Sequence, residues 1–346
     1  MLYVTTRNHR DAYTAQRVLR ESRGPDGGLY LPFRMPVFSE TELEGLEKLP
    51  FTARIAQVLN TLCGTRLTQW DVDFCVGRHP VRLVSLPQKI LLAQGWHNSQ
   101  GSLSYMVRVL SARLRQDNQP QPSDWTEIAV RGAVLFAVFS ELRKEGKISG
   151  GQRVDVAAIC GDCYGPISAW YARLWGLPVG NIIISCNENS GLWELFHRGQ
   201  LRTDALSVKT ATPDADAVLP PGLERLIFAA GGTCEVQRYL EICGRGGIYA
   251  PNEAILRKLC RGLTVSVVGR ERMESTIGNV YATSGCVLSP YSALCHAGVQ
   301  DYRAGAGENR LALVFSEKSP RLDASVVADA FGITTEELDR RQEDSR

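Results

Sequence analysis

Cys160 and Cys163 stand at CxxC spacing within Cys160-Gly161-Asp162-Cys163-Tyr164-Gly165, a run that reads as a turn from a strand into a helix. A glycine-bearing turn that opens a helix presents free N–H groups to an anion, a phosphate above all. Two thiols at this spacing could begin a zinc site, but no second pair and no nearby histidine completes it. The pair therefore reads as two small residues, buried or half-buried, at a strand end. The histidines (His9, His79, His97, His197 and His296) fall in no ligand spacing and are expected in packing or surface roles. Metal chemistry is not expected.

The elements that must position this turn are legible around it. Val154 to Ile159 reads as a buried strand, Ile167 to Trp175 as a helix ended by Gly176 and Pro178, and Asn181 to Cys186 as the next strand. Such a βαβ unit implies a parallel sheet with a right-handed crossover, and ligands in these sheets sit beyond the carboxyl ends of the strands. Without a ligand the same turn is a plain connection in which Asp162 caps the helix. Upstream, Ser39 and Glu42 form a capping box for a helix through Leu46, within an entry module of about 80 residues. A helix around Leu103 to Leu114 is separated by the polar run Gln116 to Pro122 from a second helix, capped by Asp124 with Glu127 and stopped at Gly146. Further strands are expected at Thr264 to Val268 and Leu311 to Phe315. Helices are expected around Glu274 to Ala282, Pro290 to Gly298 and Ala324 to Phe331, and the charged tail Arg340 to Arg346 is expected to fray.

Composition sets the outer bounds. A chain of 346 residues, 44% hydrophobic and 22% charged, has the makings of about two folded domains and not of a disordered or fibrous protein. The net charge is +2, with arginines scattered and only seven lysines, so nucleic-acid binding gains no electrostatic support. The longest apolar run, Ala133 to Phe139, falls far short of the roughly 20 residues of a membrane span. With no apolar stretch in MLYVTTRNHRD, the chain is expected in the cytoplasm, its ten cysteines reduced.

Segments spread over most of the chain resemble threonine synthase, a fold-type-II pyridoxal-phosphate (PLP) enzyme. Tyr3-Val4-Thr5-Thr6-Arg7 and Asp26-Gly27-Gly28-Leu29-Tyr30-Leu31-Pro32 are similar to the family's YxSTRG and DGGLYxP signatures. Gly161 through Trp175, Gly176-Leu177-Pro178-Val179 and Ser185-Cys186-Asn187-Glu188-Asn189 resemble its GNFG loop and helix, GLPI turn and ATNEN strand end. Leu223 to Phe228 is similar to NFERLLF, Ser289 to Ala293 stands at DPHTA, and Ser316 to Pro320 at TAHP. The resemblance implies an α/β fold with a mostly parallel sheet flanked by helices, like the large domain of these enzymes. It divides the chain into an amino-terminal module, 1–80, and a shortened α/β domain, 81–346, with a linker around 116–123.

The departures bear on chemistry. The family's FHGPTLAFKD segment, whose lysine forms the Schiff base with PLP, corresponds to Trp96 through Val107 and places Met106 at the lysine. A thioether cannot condense with an aldehyde. Lys89 lies well upstream and the next lysine is Lys144, so Met106 reads as a core residue packing with Leu103 and Leu110. Met106 is followed, after only the linker, by Ser123 to Glu127, which resembles the family's SINW segment; the small domain with its ATSGDTG loop is therefore expected to be largely missing. GNFG becomes Gly161-Asp162-Cys163-Tyr164. A carboxylate beside a phosphate costs about 4 kcal/mol per charge pair at ~4 Å and an effective dielectric of ~20, unless it points away. Gly165 could restore a glycine to the loop by a one-residue shift. Glu317 stands where a TAHP hydroxyl meets the cofactor ring nitrogen, a change that by itself does not exclude PLP.

The expectation drawn is a catalytically inactive threonine-synthase-like protein with no cofactor, regulatory or interacting. The face left by the missing domain would meet a second copy or a full-length homologue. Two alternatives stay open: an active PLP-dependent threonine synthase or related lyase using another lysine, and a non-catalytic sensor of a phosphate or other small molecule at the Gly161 to Gly165 turn.

Overall fold

The computed structural model describes residues 1–117 and 121–338. The chain opens with a three-stranded antiparallel sheet of β1 (Leu2–Thr5), β2 (Tyr13–Thr14) and β3 (Tyr30–Pro32), with β1 in the middle. Around it stand α1 (Ala15–Arg20), α2 (Glu40–Glu47), α3 (Phe51–Cys63) and α4 (Gln69–Val76). The Ser39–Glu42 capping box is present, and Thr68 with Asp71 forms a second at α4. The entry module thus carries a sheet as well as the helices expected of it.

Next come β4 (Arg82–Leu86), β5 (Ile90–Gln94), α5 (Leu103–Arg115), α6 (Asp124–Lys144), β6 (Val154–Ile159), α7 (Tyr164–Leu174), β7 (Val179–Cys186) and α8 (Gly191–Arg198). A small ribbon pairs β8 (Leu201–Arg202) with β9 (Ile248–Tyr249) across α9 (Leu223–Arg245). The chain continues through α10 (Glu253–Leu259), β10 (Leu263–Val267), α11 (Arg270–Ser284), α12 (Pro290–Ala306), β11 (Ala312–Ser316) and α13 (Ala324–Phe331). The central sheet runs β10-β7-β6-β11-β5-β4, parallel except for the β4–β5 hairpin. This is the expected α/β architecture with a mostly parallel sheet.

Apolar residues alternate between its faces. Leu91, Ala93, Val156, Ile182, Leu313 and Phe315 join the main core with α3, α6 and α7, whereas Leu92, Ala157, Ile183 and Val314 join a second core under α11, α12 and α13. A sheet covered on both faces needs such continuous apolar strands.

Several boundaries differ from the sequence reading. Helix α7 starts three residues early, at Tyr164, because Cys163 serves as its N-cap in the left-handed region and no side chain caps it; Asp162 does not. The cap of α6 is Ser123, whose hydroxyl accepts from the Thr126 N–H, and Asp124 is already helical. Strands β4 and β5 went unread: β5 is uniformly buried and gives no two-residue alternation. Residues 118–120 of the linker and the tail Arg340 to Arg346 lie outside the described residues.

Helix α6 is buried on nearly all sides, and its Gly132 admits the indole of Trp175: a Cβ there would stand 2.6 Å from Cζ3. Trp175 is itself fixed by Trp125, Phe136 and Tyr171. Gly132→Ala is therefore expected to destabilise the fold by about 1–3 kcal/mol through overpacking, read as a lowered urea midpoint with an unchanged slope.

Candidate functional site

At the carboxyl ends of β6 and β11 lies a cavity of about 330 Å³. Its walls include Ser104 of α5, Glu127 and Arg131 of α6, the turn Cys160 to Gly165, Asp214, Asp216 and Glu317. Five residues singled out in the sequence thus meet in one place: Gly161, Asp162, Cys163, Tyr164 and Glu317. Met106 does not reach it; the residue is completely buried in the main core with Leu103 and Leu110, and Ser104 of the same helix faces the cavity instead.

Arg131 organises the walls. Its Nε and Nη2 donate to the two carboxylate oxygens of Glu317 at 3.0 and 2.8 Å, and Nη1 pairs with Glu127 one turn earlier. Burial works against the charged guanidinium, but the Glu317 and Glu127 carboxylates outweigh it and raise its pKa. Burial also pushes the Glu127 carboxyl up, opposed by Arg131. Tyr164 lies under the guanidinium, which is 5.7 Å from its ring centroid, and donates its hydroxyl to Asp124 at 3.2 Å. Asp124 in turn pairs with the buried Arg225, whose Nη2 donates to the Tyr30 carbonyl at 2.9 Å and so ties the entry module to the site.

The turn is already occupied by groups of the chain itself. A Cβ built on Gly165, in the first turn of α7, would stand 3.2 Å from Glu317 Oε1, so a carboxylate lies against the helix start where an anion would bind. Gly161 is in the left-handed region and its missing Cβ makes room for the Asp214 carbonyl. Asp162 is exposed; burial of part of its surroundings, followed by the charges of Asp124 and Asp214, raises its carboxyl pKa. Lys318, absent from the sequence reading, pairs with Asp214 and lies 4.8 Å from the Tyr291 ring centroid. Burial opposes its charge, but Asp214 and Tyr291 outweigh this and raise its pKa.

PLP would need an amine free to meet an aldehyde and a cradle for a dianion. The residues present do not fit it. The cavity carries the carboxylates of Glu127, Asp162, Asp214, Asp216 and Glu317 against one guanidinium, and Lys318 is held as an ammonium by Asp214. Arg131 and Lys318 escaped the sequence reading because their partners are distant in the chain; the only local signal was the i,i+4 pair Glu127–Arg131. Among the described residues, no group of three or more His, Cys, Asp or Glu is arranged to hold a metal.

Comparison with known proteins bears on the fold and on the amino-terminal module. Residues 2–78 match the family model described as Threonine synthase N terminus. The chain is 24% identical over 176 residues to human threonine synthase-like 1, covering 49% of this chain and 23% of that protein, and 30% identical over 137 residues to threonine synthase of Pseudomonas aeruginosa, covering 38% and 28%. The matches therefore span about a quarter of these relatives' lengths. The structure resembles PLP-bound threonine synthase from Brucella melitensis (TM-score 0.81, 18% identity, 95% of this chain and 91% of that one) and yeast threonine synthase (0.81, 14%, 99% and 94%). The fold is that of fold-type-II PLP enzymes. Within that class, residues 2–78 match the threonine synthase amino-terminal domain and the chain as a whole resembles threonine synthases in fold.

Two measurements test the site. Arg131→Met leaves two partly buried carboxylates uncompensated and is expected to cost about 3–5 kcal/mol, with part restored in the double variant carrying Glu317→Gln, both read by urea denaturation at neutral pH. Asp162, whose folded-state pKa is raised, contributes most stability below its unfolded pKa and loses that contribution as pH rises through the folded value. Asp162→Asn is therefore expected to be slightly more stable than wild type near neutrality, the gain vanishing in acid.

Proposed function

We propose that this chain is a catalytically inactive, threonine-synthase-like protein with a regulatory or interaction role. The observation that carries the reading is the fate of the two candidate side chains. Met106, at the family's Schiff-base position, is sealed in the core, and Lys318 is held in an ion pair with Asp214. A protonated amine is no nucleophile. The acidic walls support the same reading, since they repel the phosphate of PLP; no cofactor is expected. Helices α5 and α6 are joined by residues 116–123 alone, too short a connection for the family's small domain. A chain lacking that domain has no lid of the family's kind to close over the cavity and exclude water.

The role left to such a protein is contact with a second copy of the chain or with a full-length homologue, across the face that the small domain would cover. No helix among the described residues is long and apolar enough to cross a membrane. The ten cysteines all stand as free thiols, which supports a reducing, cytoplasmic setting.

Mixing the purified protein with PLP is expected to produce no absorption band of lysine-bound cofactor, and borohydride is expected to fix no cofactor on any peptide. A band with a labelled lysine peptide, Lys318 above all, overturns the reading in favour of a PLP-dependent threonine synthase or related lyase. Light scattering is expected to show a dimer, or co-elution with a full-length threonine synthase homologue; a monomer that binds neither removes the interaction role.

A further inference from the structure

The CxxC pair takes no part in the function proposed above, yet the fold gives it a specific geometry. Cys160 follows the last residue of β6, and its N–H donates to the Ser185 carbonyl at 2.8 Å, which sets it beside Cys186 at the end of the parallel neighbour β7. The Cys163 N–H donates to the Cys160 carbonyl at 2.6 Å, closing a four-residue turn. Turns of this kind hold their end residues within about 7 Å, close to the Cα separation that a disulfide spans. Cys163 sits at φ 63°, a left-handed conformation uncommon for a residue with a side chain. The two sulfurs are 4.0 Å apart.

We propose that Cys160 and Cys163 form an oxidation site, closing a reversible disulfide at the cavity wall. Both residues are almost fully buried, but both line the cavity, so an oxidant as small as hydrogen peroxide has a route to them. Hydrogen bonds from the Cys163 and Cys186 thiols outweigh burial and hold the Cys160 thiol well below its ordinary range, while Cys163 and Cys186 are raised. Cys160, which faces both other thiols, is assigned as the sulfur that reacts first, and Cys163, 4.0 Å away, as the one that resolves.

In the first step the Cys160 thiolate attacks one oxygen of the peroxide. The S–O bond forms, the O–O bond breaks, and the departing hydroxide takes up the proton Cys160 had released, leaving as water. In the second step the Cys163 sulfur attacks the sulfenic sulfur of Cys160. The S–S bond forms, the S–O bond breaks, and the leaving hydroxide departs as water with the Cys163 proton. Two thiols have lost two protons and two electrons, and the peroxide has become two waters. A thiol reductant reverses the reaction. The new bond would lock the turn carrying Gly161 and Asp162, and with it the shape of the cavity wall, whether or not the protein has lost catalysis.

The test treats the full chain with a small excess of hydrogen peroxide, blocks remaining thiols with N-ethylmaleimide under denaturing conditions, and maps tryptic peptides by mass spectrometry. Cys160 and Cys163 fall in one peptide, residues 154–173. The expected result is that this peptide is two hydrogens lighter than its reduced form and carries no maleimide, and that dithiothreitol before blocking restores double labelling. Cys186→Ser is expected to leave the disulfide intact, whereas Cys160→Ser and Cys163→Ser each abolish it. The proposal is overturned if the wild-type peptide stays doubly labelled while exposed Cys234 is oxidised, or if the bond joins Cys160 to Cys186. The wild-type map decides the matter even if a serine variant does not fold.

Discussion

A guanidinium enclosed by protein cannot stand without compensation, and Arg131 meets that constraint with the two oxygens of Glu317 and a second carboxylate from Glu127. Removing such a charge from water costs several kcal/mol, which only close, multiply bonded partners offset. The consequences spread outward. Glu317 follows β11 and Arg131 belongs to α6, so the clamp locks the central helix to the sheet. It also holds a carboxylate against the first turn of α7, so the helix start that would draw in a foreign anion already faces one of the chain's own.

A second buried arginine repeats the device at the amino-terminal end of α6. Arg225 of α9 joins Asp124 to the Tyr30 carbonyl of β3, while the neighbouring Glu224 accepts from Arg7 Nε and Nη2 at 3.1 and 2.9 Å. The entry module is thereby fastened to the α/β domain through charge pairs that only a shared interface could bury. Asp124 also accepts from Tyr164, whose ring lies under Arg131, so the two arginine clusters meet at Tyr164. Site and domain junction are parts of one polar network, surrounded by the aromatic packing of Trp125, Tyr171 and Trp175.

Much of this was readable in the chain. Val154 to Ile159 and Ala324 to Phe331 appear with the bounds their patterns indicate, because an apolar run closed by turn residues, or a helical period ended by glycine, is a local signal. The Ser39–Glu42 box is local in the same sense. The signals failed where two local solutions competed. Ser123 and Asp124 are both good caps, and the backbone chose Ser123 because Asp124 was needed by Arg225, 101 positions away. Helix α12 runs past Gly298 to Ala306 because the Ser185 side chain of β7 packs against that glycine and the sheet supports the continuation.

By itself the sequence determined the layered α/β class, the resemblance to threonine synthase and the thioether at Met106, since each is written in residue types at short spacing. Only the tertiary structure decided that Met106 is sealed in the core, that Glu317 is held by Arg131, that Lys318 is paired with Asp214, and that the Cys160 and Cys163 sulfurs stand 4.0 Å apart. Burial, partnership and charge state depend on which distant residues the fold brings within a few ångströms, and that distance is not encoded in spacing along the chain.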